Sequence, residues 1–198
     1  MKNTKEKILE TALELFAEKG YEAVSVSDIA GKLGMTKGAL YKHYTNKQDI
    51  LDSIFKRMEE SDAQQAEKFD MPQEPLTAEG MRNEYQNTDF HRMIEFSRAQ
   101  FRYWTEDAFA SAFRRMLTLE QYCSPEMMEL YQQYLAGGPL GYVRDILRES
   151  GSLNAELEAL QLYAPMFMLY SVFDGAKNEE EREAARQLAE RFFKEMEK

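Results

Sequence analysis

The chain has 198 residues, 43% of them hydrophobic and 30% charged, with 35 acidic and 25 basic side chains for a net charge of −10. The hydrophobic share is enough for a buried core and excludes an intrinsically disordered chain. The single cysteine, Cys123, excludes an internal disulfide and fits a reducing cytosol, and no apolar run approaches the ~20 residues of a membrane span. We therefore expect a cytoplasmic protein with no membrane partner. Five prolines and ten glycines are few for this length, which favours long helices and predicts an all-α fold.

The first helix is predicted from about Thr4 to Lys19. Asn3 is a good N-cap, because its side chain can accept hydrogen bonds from the amides of the first turn. Gly20 is placed to end the helix in a left-handed conformation. Apolar residues recur at helical spacing between these ends and define one buried face.

The next two helices have the layout of a helix-turn-helix. The second is predicted to start near Ser25 or Ser27, and Gly34 supplies the tight turn after it. The third is predicted over about Lys37–Tyr44, with Thr36 as its N-cap. In a helix-turn-helix the second of the two helices enters the major groove of DNA, so this third helix is the predicted recognition helix.

Charge supports this interpretation. Residues 1–50 hold eight lysines and seven acidic residues, a net of +1, whereas the remaining 148 residues hold 17 basic and 28 acidic groups, a net of −11. From Ile29 through Gln48 there is no acidic residue, but lysines stand at 32, 37, 42 and 47. A basic window of this kind in an acidic chain predicts a polyanion partner, which the two-helix layout identifies as duplex DNA.

The rest of the chain is predicted to form a larger helical body. Thr45 is predicted to cap a fourth helix, with Gln48 completing a capping box. We predict a DNA-binding domain over 1–47 and a C-terminal domain over 48–198, whose first helix, 48–68, connects the two. Two of the five prolines predict a break over 69–80. Further helices are predicted over 81–105, 106–122, 154–174 and 179–197. Between them, one helix is predicted to begin at 124 and another to end at about 150, which gives about nine or ten helices in all.

The recognition helix carries side chains suited to DNA. Lys37 and Tyr41 are four residues apart and share one face, and Lys37 can donate to guanine O6 and N7. Gly38 allows close approach of the backbone. The remaining polar side chains are suited to phosphate contacts, although lysines on a short helix can also form a solvated face, and Tyr41, His43 and Tyr44 can also serve packing. The predicted DNA-binding residues are Ser25, Ser27, Thr36, Lys37, Gly38, Tyr41, Lys42, His43, Tyr44 and Lys47.

These residues resemble the TetR family of bacterial transcriptional regulators. The family pattern is matched by Ile29-Ala30, by the run from Gly34 to Tyr44 and by Lys47, with Met35, Thr36 and Tyr44 as mild departures. The resemblance covers about the first 58 residues. It implies a homodimeric repressor that binds a palindromic operator, with a C-terminal helical domain that dimerises and usually binds a small ligand whose arrival releases DNA.

Aromatic residues and methionines are frequent in the C-terminal body. Such side chains re-pack readily and accept irregular apolar ligands, although an ordinary helical core would have the same composition. A small hydrophobic or amphipathic ligand is therefore predicted. The candidate pocket residues are Phe90, Ile94, Phe101, Trp104, Phe113, Met116, Tyr134, Tyr163 and Phe167.

By the same resemblance, the last two helices are expected to form a four-helix interface with a second copy of the chain. The alternative is burial within one subunit. The candidate dimer residues are Leu157, Leu160, Ala164, Met168, Leu188 and Phe192.

An enzyme is the rival class that the sequence argues against. It has two histidines far apart in sequence, no phosphate-binding glycine loop, no His-Glu-x-x-His motif and no Gly-x-Ser-x-Gly elbow. We predict no catalytic residue, no cofactor and no metal site. A C-terminal body that binds a protein partner instead of a small molecule remains open.

Overall fold

The protein is all-helical, which confirms the predicted fold class. The computed structural model describes residues 3–72 and 78–197, without the side chains of residues 78, 79, 81 and 82. Over these residues there is no strand, and there are ten helices of seven or more residues besides the single-turn α3. They are α1 (Thr4–Lys19), α2 (Val26–Lys32), α3 (Lys37–Leu40), α4 (Lys47–Lys68), α5 (Ala78–Gln86), α6 (Phe90–Glu106), α7 (Ala108–Glu120), α8 (Pro125–Leu135), α9 (Gly137–Glu149), α10 (Ala155–Asp174) and α11 (Glu179–Met196).

The chain divides into two compact units. The N-terminal unit consists of Met1–Asp62 and Ala108–Tyr131, and the C-terminal unit of Ala63–Asp107 and Gln132–Lys198. The predicted domain boundary between residues 47 and 48 stays a prediction. Residues 73–77 of the predicted break lie outside the described residues. None of the helices within the described ranges is long and apolar enough to cross a membrane.

The N-terminal unit is built on α1, which packs against α2 and against α7. The Asn3 side chain accepts the amide of Glu6 at 2.8 Å, as predicted for the N-cap, and Gly20 ends the helix with a φ of +84°. The core side of α1 is fully buried, because its apolar residues recur at helical spacing. Its buried residues are Ile8, Leu9, Ala12, Leu13, Leu15 and Phe16.

The turn between α2 and α3 is a Schellman motif. The Met35 amide donates to the Ala30 carbonyl and the Gly34 amide donates to the Gly31 carbonyl, both at 3.0 Å. Gly34 has a φ of +64°, a left-handed conformation that costs glycine little. Backbone hydrogen bonds therefore set the turn that presents α3.

Helix α3 is shorter than predicted. Regular α-helical bonding covers Lys37–Leu40, whereas the prediction extended over Lys37–Tyr44. Beyond this turn the amides of Lys42 and His43 bond to carbonyls three residues back, at 3.3 and 2.9 Å. The chain therefore stays coiled through Tyr44 but tightens toward 3₁₀ geometry.

The N-cap of α4 is Asn46, so the predicted box of Thr45 with Gln48 is wrong by one residue. The Asn46 side chain accepts the amide of Asp49 at 2.8 Å. The Asp49 carboxylate in turn accepts the Thr45 amide at 2.7 Å and the Thr45 hydroxyl at 3.0 Å. Asn46 and Asp49 are three residues apart, as are the predicted Thr45 and Gln48, whereas Thr45 and Asp49 are four apart. Asp49 adds a charge at the positive end of the helix dipole.

Helix α10 is the centre of the C-terminal unit, where it packs against α6, α9 and α11. The Phe101 ring of α6 stacks on Tyr170 with centroids 5.5 Å apart, and the Tyr163 hydroxyl donates to the Leu135 carbonyl at 2.7 Å. The helix continues through Pro165. Its buried side consists of Ala155, Ala159, Leu162, Tyr163, Met166, Leu169, Tyr170 and Phe173.

Candidate nucleic-acid interface

Helix α3 has one buried side and one exposed side. Leu40 is fully buried, while Lys37 is exposed and Tyr41 keeps 44% of its surface exposed. The Lys37 ammonium lies 5.7 Å from the centroid of the Tyr41 ring. A cation at this distance is attracted to the face of the ring, so the two side chains form one outward-facing pair. The structure thus brings together the two residues that the helical spacing placed on one face.

Gly38 lies exposed beside this pair. A Cβ added at Gly38 would meet no atom of the protein within 4 Å, and no left-handed φ is present there. Neither internal packing nor backbone conformation therefore requires a glycine, which costs roughly 0.5–1 kcal/mol relative to alanine inside a helix. The open space leaves room for another molecule to approach the α3 backbone closely.

The acidic residue that borders the basic window is held by a capping box. The Asp28 carboxylate accepts the Ser25 amide at 2.8 Å and the Ser25 hydroxyl at 2.6 Å, and these bonds lower the pKa of the carboxyl. The Ser25 hydroxyl hydrogen is therefore occupied in this conformation and is not available for the predicted phosphate contact. Ser27, in the first turn of α2, is exposed.

Tyr44 is a core residue in this structure. Its side chain is 1% exposed, and its hydroxyl donates to the Lys5 carbonyl at 3.3 Å. Burial raises the pKa of the Tyr44 phenol to about 12. The predicted phosphate contact by Tyr44 is therefore corrected: the ring anchors the end of the recognition segment to α1.

Lys47 is half-buried and held at its tip. Its ammonium donates to the Tyr21 carbonyl at 2.8 Å and lies 4.0 Å from the centroid of the Tyr21 ring. The Glu22 carboxylate stands 3.9 Å away, too far for a hydrogen bond. An ammonium has three N–H donors, so one bond to a carbonyl leaves capacity for a phosphate.

The three other predicted residues surround α3. Thr36 is its N-cap and accepts the Ala39 amide at 3.2 Å, and its side chain is exposed. Lys42 and His43 are exposed on the turn that follows α3. These positions leave their side chains open to solvent at the edge of the surface formed by Lys37, Gly38 and Tyr41.

A buried carboxylate contacts Tyr21, although residue type alone favours a solvated position for it. Glu120, at the end of α7, is 4% exposed, and it accepts the Tyr21 amide at 2.7 Å. The two residues are 99 positions apart, so no local pattern could pair them. The one available signal was an acidic residue on the apolar side of a predicted helix.

The nine predicted pocket residues do not share one environment. Phe101 lines a groove of about 240 Å³ along α6 and α11, whose walls are mostly charged side chains. The ligand pocket stays a prediction. Ile94, Phe101, Trp104 and Tyr163 are buried in the C-terminal unit, Phe113 and Met116 are buried in the N-terminal unit, Tyr134 is half-buried, and Phe90 and Phe167 are exposed.

The six predicted dimer residues lie on the outer sides of α10 and α11. Four large apolar side chains among them are 44 to 64% exposed, Ala164 is exposed and Phe192 is half-buried. A second groove of about 310 Å³, lined mainly by small and apolar residues, lies beside Leu188. The four exposed apolar residues are Leu157, Leu160, Met168 and Leu188.

Helices α2 and α3, joined by the turn at Gly34, form a helix-turn-helix. Its second helix presents an exposed cationic and aromatic surface, as in DNA-binding proteins of this class. A family model described as "Bacterial regulatory proteins, tetR family" matches residues 8–54. The Transposon Tn10 TetC protein of Escherichia coli is 45% identical over 56 residues, 28% of each chain. The biofilm operon icaADBC HTH-type negative transcriptional regulator IcaR of Staphylococcus epidermidis is 44% identical over 46 residues, 23% of this chain and 25% of IcaR.

The matched segments span about a quarter of the length of these two relatives. The whole fold is similar to a solved structure, the TetR family transcriptional regulator PfmR from Thermus thermophilus. The likeness covers 98% of this chain and 97% of PfmR, with a TM-score of 0.60 and 25% identity. Residues 8–54 thus match the tetR family of bacterial regulatory proteins, and the fold of the whole chain is similar to that of a TetR family transcriptional regulator.

Proposed function

We propose that the protein is a homodimeric transcriptional repressor that binds a palindromic DNA operator and is released from it by a small molecule. The observation that carries the DNA-binding part is the outward-facing pair of Lys37 and Tyr41 beside Gly38. A cation, an aromatic hydroxyl and an unobstructed backbone stand together on the helix that this motif places in the major groove.

In this mechanism the N-terminal unit reads DNA through α3. Lys37 donates to guanine O6 and N7, which is the commonest specific contact in the major groove. Tyr41 donates its hydroxyl to the edge of the groove, and Lys42, His43 and Lys47 neutralise phosphates on either side. Phosphate contacts fix the position of the protein, and base contacts select the sequence.

The exposed apolar sides of α10 and α11 support the homodimer. Helix α10 is apolar on its buried side and also exposes Leu157, Leu160 and Met168, and a helix that is apolar all round is normally covered. A second copy of the chain, related by a two-fold axis, would cover the exposed apolar sides of α10 and α11 in both copies at once. Two-fold pairing also presents two recognition helices to two half-sites, which gives an inverted repeat.

Repression and release by a ligand are supported by the likeness to the TetR family and by composition. IcaR, one of the relatives, is named a negative regulator. The C-terminal unit is rich in buried aromatic side chains, among them Phe101, Trp104 and Tyr163, which are the residue types that line pockets for hydrophobic or amphipathic molecules. The alternative is a C-terminal unit that binds a protein partner.

Selection of bound duplexes from a random pool tests the DNA-binding part. The purified protein should enrich an inverted repeat, and a variant with both Lys37→Ala and Tyr41→Ala should not. A pool that stays random after repeated rounds at low salt contradicts the proposal.

A thermal-shift screen with lipophilic cations, acyl-CoAs and drugs then tests the ligand. Stabilisation by one class supports release by a small molecule, whereas no shift across the panel favours the protein partner.

A further inference from the structure

Tyr21 is bonded on several sides within the N-terminal unit. Its amide donates to the Glu120 carboxylate at 2.7 Å, and its carbonyl accepts the Lys47 ammonium at 2.8 Å. Its hydroxyl donates to Gln48 at 3.0 Å, and its ring packs edge-on against Phe16 with centroids 5.1 Å apart. Tyr21 thus joins α7 to the beginning of α4.

The Glu120 carboxylate is fitted closely to this backbone. It is almost fully buried, and a Cβ added at Gly20 would lie 2.9 Å from its Oε1 atom. Gly20 also has a φ of +84°, so the chain turns here in a conformation that exposes the next amide to the carboxylate. Burying a carboxylate is costly unless it is hydrogen-bonded, and a bond from an amide to a charged oxygen is among the stronger ones.

The position of the Tyr21 backbone also determines where the Lys47 side chain is held. A free lysine side chain loses rotamer entropy when it contacts a phosphate. The Tyr21 carbonyl and ring already hold this ammonium on two sides. Because Glu120 holds the same residue from the other direction, it fixes the site that orients Lys47.

We propose that Glu120 is a positioning residue for DNA binding, which orients Lys47 toward a phosphate by fixing the Tyr21 backbone. This role rests on the proposed DNA-binding function. Glu120 itself touches no DNA. It makes the contribution of Lys47 to operator affinity dependent on a residue of α7, outside the helix-turn-helix.

Three substitutions separate the reach of the side chain from its charge. Glu120→Gln keeps an acceptor oxygen at the same distance and should bind DNA nearly as the wild type does. Glu120→Asp keeps the charge but is one methylene shorter, so it should behave like Glu120→Ala. The readout is the slope of log K against log salt concentration, whose magnitude should fall by about 0.9 for each phosphate that the protein no longer neutralises.

A double-mutant cycle with Lys47→Ala tests whether Glu120 acts through Lys47. In the Lys47→Ala protein, Glu120→Ala should change neither the affinity nor the salt slope further. Additive reductions in affinity would overturn the positioning role, and so would a Gln variant as weak as the Ala variant. Thermal unfolding checks each variant, and if Glu120→Ala does not fold, the Asp and Gln variants decide.

DNA binding by the wild-type protein distinguishes failure of the positioning role from failure of the proposed DNA-binding function. Wild-type binding together with additive reductions overturns the positioning role alone. A wild-type protein that binds no duplex at any salt concentration overturns the proposed function and the positioning role with it.

Discussion

Lys37 and Tyr41 meet one turn apart on the outer side of α3, with the lysine ammonium 5.7 Å from the tyrosine ring centroid. The ring limits the directions that the lysine can take, so a base donor is partly ordered before any DNA is present. The pair therefore gives the surface a positive charge whose orientation the tyrosine ring restricts.

Replacing Lys37 by alanine should weaken binding to the selected operator and change the preferred base at one position of each half-site. A bidentate contact to a guanine is worth about 1–3 kcal/mol of discrimination. Lys47→Ala should instead weaken binding evenly across sequences, because a phosphate contact carries no base information. Gel-shift titration on specific and scrambled duplexes measures both effects, and unchanged affinity in both variants would contradict the DNA-binding assignment.

Gly38→Ala should separate folding from DNA binding. The added methyl group has open space and suits a helix, so the free energy of unfolding should rise by up to about 1 kcal/mol. Operator affinity should fall, because the methyl group stands between the backbone and DNA. Gly31→Ala is the matched control, since a Cβ there also meets nothing within 4 Å but lies on α2. Equal operator affinity in the two variants would contradict a close approach at Gly38.

Asp62→Asn should make stability less dependent on pH. Burial raises the pKa of the Asp62 carboxyl to about 7, and its Oδ1 atom has no hydrogen-bond partner within the described part of the chain. Because the folded pKa lies above the unfolded value, the folded state holds its proton longer. The stability that protonation provides is complete below about pH 4 and is lost as pH rises through about 7.

The Asn variant should therefore be more stable than the wild type at about pH 8, by on the order of a few kcal/mol, with the gap closing toward about pH 4. Thermal or urea unfolding at several pH values measures this. Glu60→Gln removes an exposed charge from the same helix and is the control, with a small change at each pH. A gap that is the same at about pH 5 and about pH 8 would rule out a buried, titrating Asp62.

Leu188→Glu should convert the protein to a monomer. The substitution places a charge in the apolar outer side of α11, where a second copy would have to desolvate it. Gln187→Glu, which adds the same charge on the side of α11 that faces the charged groove, should leave the dimer intact. Light scattering at micromolar concentration distinguishes the two, and a wild-type protein that is already monomeric counts against the interface.

Local pattern was enough to predict the helix-turn-helix. The Asn3 and Thr36 caps, the turn at Gly34 and the outward pair of Lys37 and Tyr41 all depend on residues within one or two turns of each other. The structure has each of them. The predicted N-cap of α4 was wrong for a local reason too, because two overlapping sets of residues satisfied the same spacing rule.

The correction at Tyr44 and the occupied hydroxyl of Ser25 have a different cause. Residue type shows that a hydroxyl can donate, but not whether another part of the fold already accepts its hydrogen. The Tyr44 hydroxyl donates to a carbonyl of α1's first turn, and the Ser25 hydroxyl to the carboxylate of Asp28. The contact between Glu120 and Tyr21 depends on how α7 packs against α1, which spacing along the chain does not encode.

The backbone-bonded turn at Gly34 has a consequence for how such a reader diversifies. Its two hydrogen bonds join main-chain atoms, and its one demanding position is the glycine. The side chains of Lys37 and Tyr41 take no part in these two hydrogen bonds. Under the proposed function, a lineage can therefore exchange the side chains at positions 37, 41 and 42 and acquire a new operator while the turn that presents them stays the same.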